Sequence, residues 1–224
     1  MRRPWAFTIN QFLVCTVGNY TRTMELTTTH HAILKSMAQK YPLDADYAAM
    51  LARYAPAHQQ FMGAYTKRNV EYGLMQGATL GLKQQLTALR AKAQLWSSMV
   101  KAAGFERSSS EYEALFPRGL KPFSNGATDD RIAHVSALAK SMIPYPVLDP
   151  VRLQVEAYYT LIYGTRSQQL AYKGNVKLQS ILAEEQRKNV MKEQYRNAGR
   201  LMEKFADTPG QIATFFNIQV LRKR

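Results

Sequence analysis

The sequence predicts an all-α protein made of two tandem helical units, each with one long helix and a short capped helix at its carboxyl end. Two observations carry this prediction. Apolar residues recur at three- and four-residue steps along two long stretches with almost no proline, and similar segments follow in the same order in both halves. With 46% hydrophobic residues, a chain of 224 residues can form a substantial core.

The two long helices are predicted within residues 46–103 and 151–206. The first range contains one proline, Pro56, and the second contains none. Apolar positions at helical spacing in the first range are Leu74, Ala78, Leu82, Leu86, Leu89, Ala93, Trp96 and Val100. Those in the second range include Leu153, Ala157, Leu161, Leu178, Leu182, Met202 and Phe205. Stripes of this length are expected to be covered by other polypeptides.

Each long stretch is followed by the spacing of a capping box, in which a hydroxyl and a carboxyl or amide three residues later satisfy free amides of the first turn. The two boxes are Ser108 with Glu111 in FERSSSEYEALFP, and Thr208 with Gln211 in FADTPGQIATFF. Pro209 would occupy the first helical position of the second. A short helix is therefore predicted at the end of each unit.

The two halves share a segment with the same order of residues. ILKSMAQKYPLD and LAKSMIPYPVLD have Lys-Ser-Met, then Tyr-Pro, then Asp in common. Tandem duplication is the favoured interpretation, and chance similarity between two helices rich in lysine and alanine is the alternative. The predicted organisation is an N-terminal arm at 1–24, a first helical unit at 25–117, a linker at 118–130 and a second helical unit at 131–224.

The net charge of +14 is spread over both halves and implies an anionic partner, which could be nucleic acid, a phospholipid surface or an acidic protein. Between Tyr47 and Gly104 the only acid is Glu71. The arm has no acid before Glu25, as in organellar transit sequences. The basic residues predicted to face the anion are Arg53, Lys67, Arg68, Lys83, Arg90 and Lys92.

Three glycines at four-residue steps, Gly73, Gly77 and Gly81, lie on nearly one face of the first long helix. Their spacing favours a groove at which another helix crosses closely. The alternative is a weak point in the helix, since each glycine costs about 1 kcal/mol relative to alanine.

The sequence contains little that suggests catalysis. It has four histidines and one cysteine, and none of them has the spacing of a zinc site. Glu184 and Glu185 are interpreted as part of a solvated face rather than as an acid and base pair. We therefore predict no catalytic residue, no metal site and no cofactor.

The order of the KSM and YPLD motifs, a long charged helix and GFERSSSEYEALFP resembles subunit d of the peripheral stalk of mitochondrial F-type ATP synthase. The residues that fall on the last part of that family pattern are Phe105, Ser108, Glu111, Leu115, Phe116 and Pro117. The resemblance covers each unit separately, as in a duplicated form. The second unit departs from it, with Gln211 and Thr214 where the family has an acidic helix.

The resemblance implies an all-α, non-catalytic stator subunit on the matrix side of the inner mitochondrial membrane, lying beside subunit b. Its partners would be other protein subunits of a hetero-oligomeric complex, with anionic lipid as a second candidate contact. The residues predicted to bind partners are Gly73, Gly77, Gly81, Phe105, Phe116, Phe215 and Phe216. The alternative is an RNA-associated organellar protein, for example a ribosomal one, whose basic helices contact phosphates.

Overall fold

The computed structural model describes residues 20–216, and every regular element in that range is a helix, which confirms the all-α prediction. The α-helices are α1 (Tyr20–Lys40), α2 (Ala45–Ala102), α3 (Ser110–Leu115), α4 (Lys121–Ser124), α5 (Thr128–Ser141) and α6 (Asp149–Lys204). Two 3-10 helices span Pro146–Leu148 and Pro209–Phe215. Residues 1–19 of the predicted arm lie outside the described range, whereas residues 20–24 already belong to α1.

The chain divides into two compact units that do not coincide with the predicted 25–117 and 131–224. Within the described residues, the split unit joins residues 20–71 with residues 175–216, and the central unit is Tyr72–Gly174. The boundaries differ because α2 and α6 are each divided between the two units. The split unit therefore combines α1 and the start of α2 with the end of α6, and the central unit combines the end of α2, the three helices α3 to α5 and the start of α6.

Side-chain hydrogen bonds show that α2 and α6 are antiparallel within each unit. In the split unit, Lys204 Nζ lies 3.0 Å from Asp46 Oδ2, and Arg68 Nε donates to Ser180 Oγ at 3.1 Å. In the central unit, Gln169 Nε2 donates to Thr79 Oγ1 at 2.9 Å, and Gln85 Nε2 donates to Thr165 Oγ1 at 3.0 Å. In both units, positions further along α2 thus lie beside positions nearer the start of α6.

The predicted stripe of α2 forms the core of the central unit from Leu82 to Val100. Its buried members are Leu82, Leu86, Leu89, Ala93, Trp96 and Val100. Side chains of α3, α4 and α5, including Tyr112, Phe123 and Val135, cover this stripe. The expectation that other polypeptides must cover it was therefore wrong for this part of α2.

Much of the predicted stripe of α6 is exposed rather than packed in the chain's own core. Leu153, Leu161 and Leu178 are more than half exposed, at 58%, 52% and 54%, and Leu182 is 38% exposed. The buried face of α6 instead carries Val151, Val155, Ile162, Ala183, Val190, Met191, Ala198 and Leu201. Both faces of α6 carry apolar residues at helical spacing, so periodicity alone did not distinguish the inner face from the outer one.

The helix caps differ from the predicted boxes. Ser109, rather than Ser108, is the N-cap of α3, and its Oγ accepts the Tyr112 N–H at 3.1 Å. The second short helix is a 3-10 helix whose N-cap, Thr208, makes no side-chain capping bond. Its first turn is closed by the backbone instead, as the Gln211 N–H donates to the Thr208 carbonyl at 3.0 Å.

The predicted linker at 118–130 is packed into the central unit. It contains α4, whose Phe123 is only 4% exposed. The Arg131 guanidinium donates to the Phe123 carbonyl through Nε at 3.2 Å and through a terminal nitrogen at 2.9 Å, and also to the carbonyl of Leu86. This arginine ties the segment to α2, so the segment is part of the fold rather than a free connection.

Candidate partner-binding surface

Large apolar side chains are exposed mainly along the two long helices. On α2 they are Val70, Tyr72, Leu74, Leu80 and Leu95, and on α6 they are Leu153, Leu161, Tyr163, Leu170, Leu178, Ile181, Leu182 and Tyr195. Single exposed apolar residues are common on protein surfaces, but series along one helix face are typical of interaction sites.

One such series lies on α2 within the central unit, and we call it the outer face of α2. It consists of Leu80, Gln84, Ala88, Ala91, Leu95, Ser98 and Ala102, all of them exposed. Leu80 and Leu95 are 61% and 48% exposed. From Gln84 to Ala102 the steps alternate between four and three residues, which is the spacing of a coiled-coil seam. The face lies opposite the buried stripe that includes Leu89 and Val100.

Basic side chains flank the outer face of α2. Lys83, Arg90 and Lys101 lie roughly 90° around the helix on one side, and Lys92 lies at a similar angle on the other. No acid occurs between residues 72 and 105. Within residues 20–216 none of these four cations forms a salt bridge. The face is therefore a strip of mostly small side chains with two exposed leucines, and it lies between positive charges that no salt bridge offsets.

Five of the six predicted anion-facing residues are exposed: Arg53, Lys67, Lys83, Arg90 and Lys92. The first two belong to the split unit and the other three to the central unit. The sixth, Arg68, is only partly exposed, and its guanidinium lies 5.0 Å from the ring centre of Tyr20 while Nε bonds Ser180. Arg68 is thus engaged in the split unit's own packing.

The three glycines do not form a groove against another described helix. A Cβ added at Gly73 or Gly77 would meet no other atom within 4 Å, whereas one at Gly81 would lie 3.9 Å from Thr165 Cγ2. Gly81 therefore faces α6, and Gly73 and Gly77 are exposed to solvent. Gly77 lies three residues before Leu80 on the same side of α2, so it extends the outer face by one position.

The predicted aromatic contacts belong to the chain's own cores, which corrects their assignment as partner-binding residues. Phe116 is 4% exposed, and Phe105 packs against the same central core with its ring 5.1 Å from that of Tyr145. Phe215 and Phe216, at 1% and 6% exposure, close the core of the split unit. Phe116, Phe215 and Phe216 are therefore not accessible to a partner, and Phe105 is partly buried against the central core.

Sequence reasoning missed a polar centre in the split unit. His30 is fully buried; its Nδ1–H donates to the Phe215 carbonyl at 2.9 Å, and its Nε2 accepts from Asn197 Nδ2 at 3.2 Å. The ring stacks on Phe216 at 4.8 Å. Burial lowers the pKa of His30 to about 4, so the imidazole is neutral at physiological pH. The available signal was the helical spacing of His30 with Thr23, Thr27 and Leu34.

A second histidine pair is partly exposed. The rings of His31 and His58 stack at 4.8 Å, and Thr28 Oγ1 lies 3.3 Å from His58 Nε2. Partial burial lowers the pKa of both histidines. In residues 20–216 no three His, Cys, Asp or Glu side chains come together as a metal site would require.

Searches for membrane-spanning helices among the described residues and for similar proteins gave no match. No helix in the described range combines the length and the apolar character that spanning a membrane requires. A scan against family models, a search of curated proteins and a search of solved structures each found no match for this chain. The chain's exposed surfaces and its sequence motifs are therefore the features that indicate its function.

Proposed function

We propose that the chain is a non-catalytic structural subunit of a mitochondrial membrane complex, and specifically a peripheral-stalk component of F-type ATP synthase on the matrix side of the inner membrane. The observation that carries this proposal is the exposure of apolar side chains along α2 and α6, although both compact units already have complete cores. Such faces favour association with other helices. The sequence resemblance to subunit d supplies the choice of complex.

The packing of α2 on α6 is suited to a subunit that bears load. In the central unit the Tyr158 hydroxyl donates to the Gln85 carbonyl at 2.6 Å, and Gln85 Nε2 donates to Thr165 Oγ1 at 3.0 Å. These bonds join the two helices laterally in addition to the apolar core. A stalk subunit must keep such helices from sliding when torque is applied, and directional bonds between side chains oppose sliding.

RNA association is the second candidate function. It is favoured by one observation, the series of cations at Lys83, Arg90, Lys92 and Lys101 without an acid between residues 72 and 105. Phosphate binding would use these charges. It would not require the apolar strip of Leu80, Ala91 and Leu95 between them, and this strip is the reason for preferring a protein partner.

Native electrophoresis of mitochondrial membranes tests the proposal. The full chain with a C-terminal tag is expressed in its own cells, and membranes are solubilised in a mild detergent. We expect the tag to migrate with the band that hydrolyses ATP and to be found with the stalk subunits by mass spectrometry. A tagged soluble matrix protein is the control. Migration only as a free chain, or with ribosomal subunits, would contradict the proposal.

A separate measurement examines the RNA candidate. The purified chain is titrated against a labelled single-stranded RNA at several salt concentrations. Tight binding that declines steeply with salt would favour RNA association, because phosphate contacts release counterions. We expect weak binding at physiological salt. The double variant Lys83→Glu/Arg90→Glu is the control, because any RNA binding that depends on the cations of the central unit should be lost in it.

A further inference from the structure

We infer that the outer face of α2 is the docking site for a partner α-helix with an apolar seam and acidic residues on both sides of that seam. The inference deepens the proposed function by naming the class of partner, and it rests on that function only for the identity of the protein that supplies the helix. It follows from the spacing, the size and the charge of the exposed side chains.

The spacing of residues on the outer face of α2 indicates that the partner is an α-helix. Gln84, Ala88, Ala91, Leu95, Ser98 and Ala102 follow one another at steps of four and three residues along about five turns, roughly 27 Å of helix. This repeat keeps a single seam in front of a second helix, with side chains of one helix entering the gaps of the other.

The size of the side chains sets the distance of approach. Ala88 and Ala91 occupy the middle of the outer face, and Leu80 and Leu95, 61% and 48% exposed, stand on either side of them along the axis. Small residues allow a second backbone to come close, and each leucine would gain burial against that helix. The partner is therefore expected to place larger apolar side chains opposite the two alanines.

The charges select an acidic partner. Lys92 flanks the seam on one side and Lys83, Arg90 and Lys101 flank it on the other, with no acid on α2 between residues 72 and 105. A helix laid on this seam would bring its own flanking residues near these cations, as at the e and g positions of a coiled coil. Acidic residues there would be attracted and basic ones repelled, which sets partner choice.

Nucleic acid and lipid fit the face less well. Single-stranded RNA is bound by exposed aromatic rings between cations, and no aromatic side chain belongs to the outer face of α2. An interfacial membrane helix needs bulky apolar or aromatic residues opposite its charged face, whereas this face is largely alanine, serine and glutamine. Both remain outcomes of the test.

Two designed peptides provide the probe. Each is a 25-residue helix with leucine and alanine at the seam positions; one carries glutamate at the flanking positions and its twin carries lysine there. Binding to the purified full chain is measured by fluorescence anisotropy. We expect the glutamate peptide to bind and the lysine twin to bind about tenfold more weakly, the size expected when several exposed ion pairs become repulsions. Salt should weaken the preference.

Variants of the chain locate the binding site. Ala91→Trp fills the middle of the seam and is expected to weaken glutamate-peptide binding at least about tenfold. Ala49→Trp, at an exposed alanine of the same helix in the split unit, is the matched control and should have no effect. Lys83→Glu/Arg90→Glu changes charge without adding bulk, and it should largely remove the preference for the glutamate peptide, because the two new carboxylates balance Lys92 and Lys101.

Several results would overturn the inference. These are equal binding of both peptides, binding that Ala91→Trp leaves unchanged, and displacement of the glutamate peptide from the unaltered chain by RNA or anionic vesicles. Failure of the proposed function gives a different pattern. If the peptide binds as expected but the tagged chain does not migrate with ATP synthase, the stalk assignment fails and the docking site stands; the converse pattern rejects the docking site alone.

Discussion

The Nδ1 atom of His30 lies 2.9 Å from the carbonyl oxygen of Phe215, a residue 185 positions further along the chain. The other ring nitrogen, Nε2, lies 3.2 Å from the side-chain nitrogen Nδ2 of Asn197. One imidazole thus joins α1, α6 and the last 3-10 helix. One nitrogen donates and the other accepts, which only the neutral ring can do.

The first prediction concerns the pH dependence of the free energy of unfolding. Burial lowers the pKa of His30 to about 4 in the folded chain, whereas the unfolded value is near 6.5. Between these values the unfolded chain binds more protons, so stability is complete above about pH 6.5 and falls as the pH approaches 4. The loss attributable to His30 is about 2 kcal/mol at pH 5 and about 3 kcal/mol at pH 4. Urea unfolding at pH 7.5, 6 and 5 measures it.

His30→Gln is the matching variant for this prediction. It should lower stability at pH 7.5, because glutamine lacks the ring that stacks on Phe216, but it should remove the steepest part of the pH dependence. A smaller dependence should remain, since the pKa values of His31 and His58 are also lowered by burial. An unchanged slope in His30→Gln would show that another group carries the effect.

The helical architecture could be predicted where one face of a helix is apolar and the other is not. On α2 the residues from Leu82 to Val100 form one clear stripe, and it is the buried one. On α6 apolar residues occupy two faces, and Leu153 and Leu161 lie on the exposed face. Tertiary packing decides between two such faces, and the sequence of one helix does not contain that information.

The candidate surface was predictable in part for a related reason. Exposed cations such as Lys83 and Arg90 follow from the cost of burying charge. Phenylalanines are apolar in both a core and an interface, so the composition around Phe116 and Phe216 did not distinguish the two. His30 was missed because polar residues on an apolar face reveal their burial only when their partners, here Phe215 and Asn197, are known.

The second prediction concerns the N-cap of α3. Ser109→Ala removes the acceptor for the Tyr112 N–H and should lower the free energy of unfolding by about 1 kcal/mol. Ser108→Ala, one residue earlier at an exposed position, should change it by less than about 0.5 kcal/mol. Chemical denaturation of the two variants side by side measures the difference. Equal effects would mean that the cap lies elsewhere.

The third prediction concerns a buried hydrogen bond between α2 and α3. The Ser97 Oγ lies 2.7 Å from the Tyr112 hydroxyl, and the two side chains are 5% and 7% exposed as residues. Tyr112→Phe leaves the Ser97 hydroxyl buried without this partner, so stability should fall by about 1 to 3 kcal/mol. The double variant Ser97→Ala/Tyr112→Phe should recover part of the loss, because both polar groups are then absent. Additive losses in a double-mutant cycle would contradict coupling between the two hydroxyls.

The last prediction compares two glycines on α2 that differ in their surroundings. At Gly77 an added side chain meets no other atom within 4 Å, so Gly77→Leu should keep the helix content and raise the free energy of unfolding by up to about 1 kcal/mol. At Gly81 an added Cβ would lie in contact with Thr165, 3.9 Å from its Cγ2, and the further atoms of leucine would crowd this side of α6. Gly81→Leu should therefore lower stability by about 1 to 3 kcal/mol.

Assembly gives the second readout for the same pair. Gly77 extends the outer face of α2 beside Leu80, so Gly77→Leu should reduce incorporation into the proposed membrane complex although the chain itself is no less stable. Circular dichroism and native electrophoresis of both variants provide the measurements. Unfolding of Gly77→Leu would place this glycine in an internal contact, and normal incorporation of a stable Gly77→Leu chain would exclude a partner backbone at this position, because a leucine side chain fills the space that a close crossing requires.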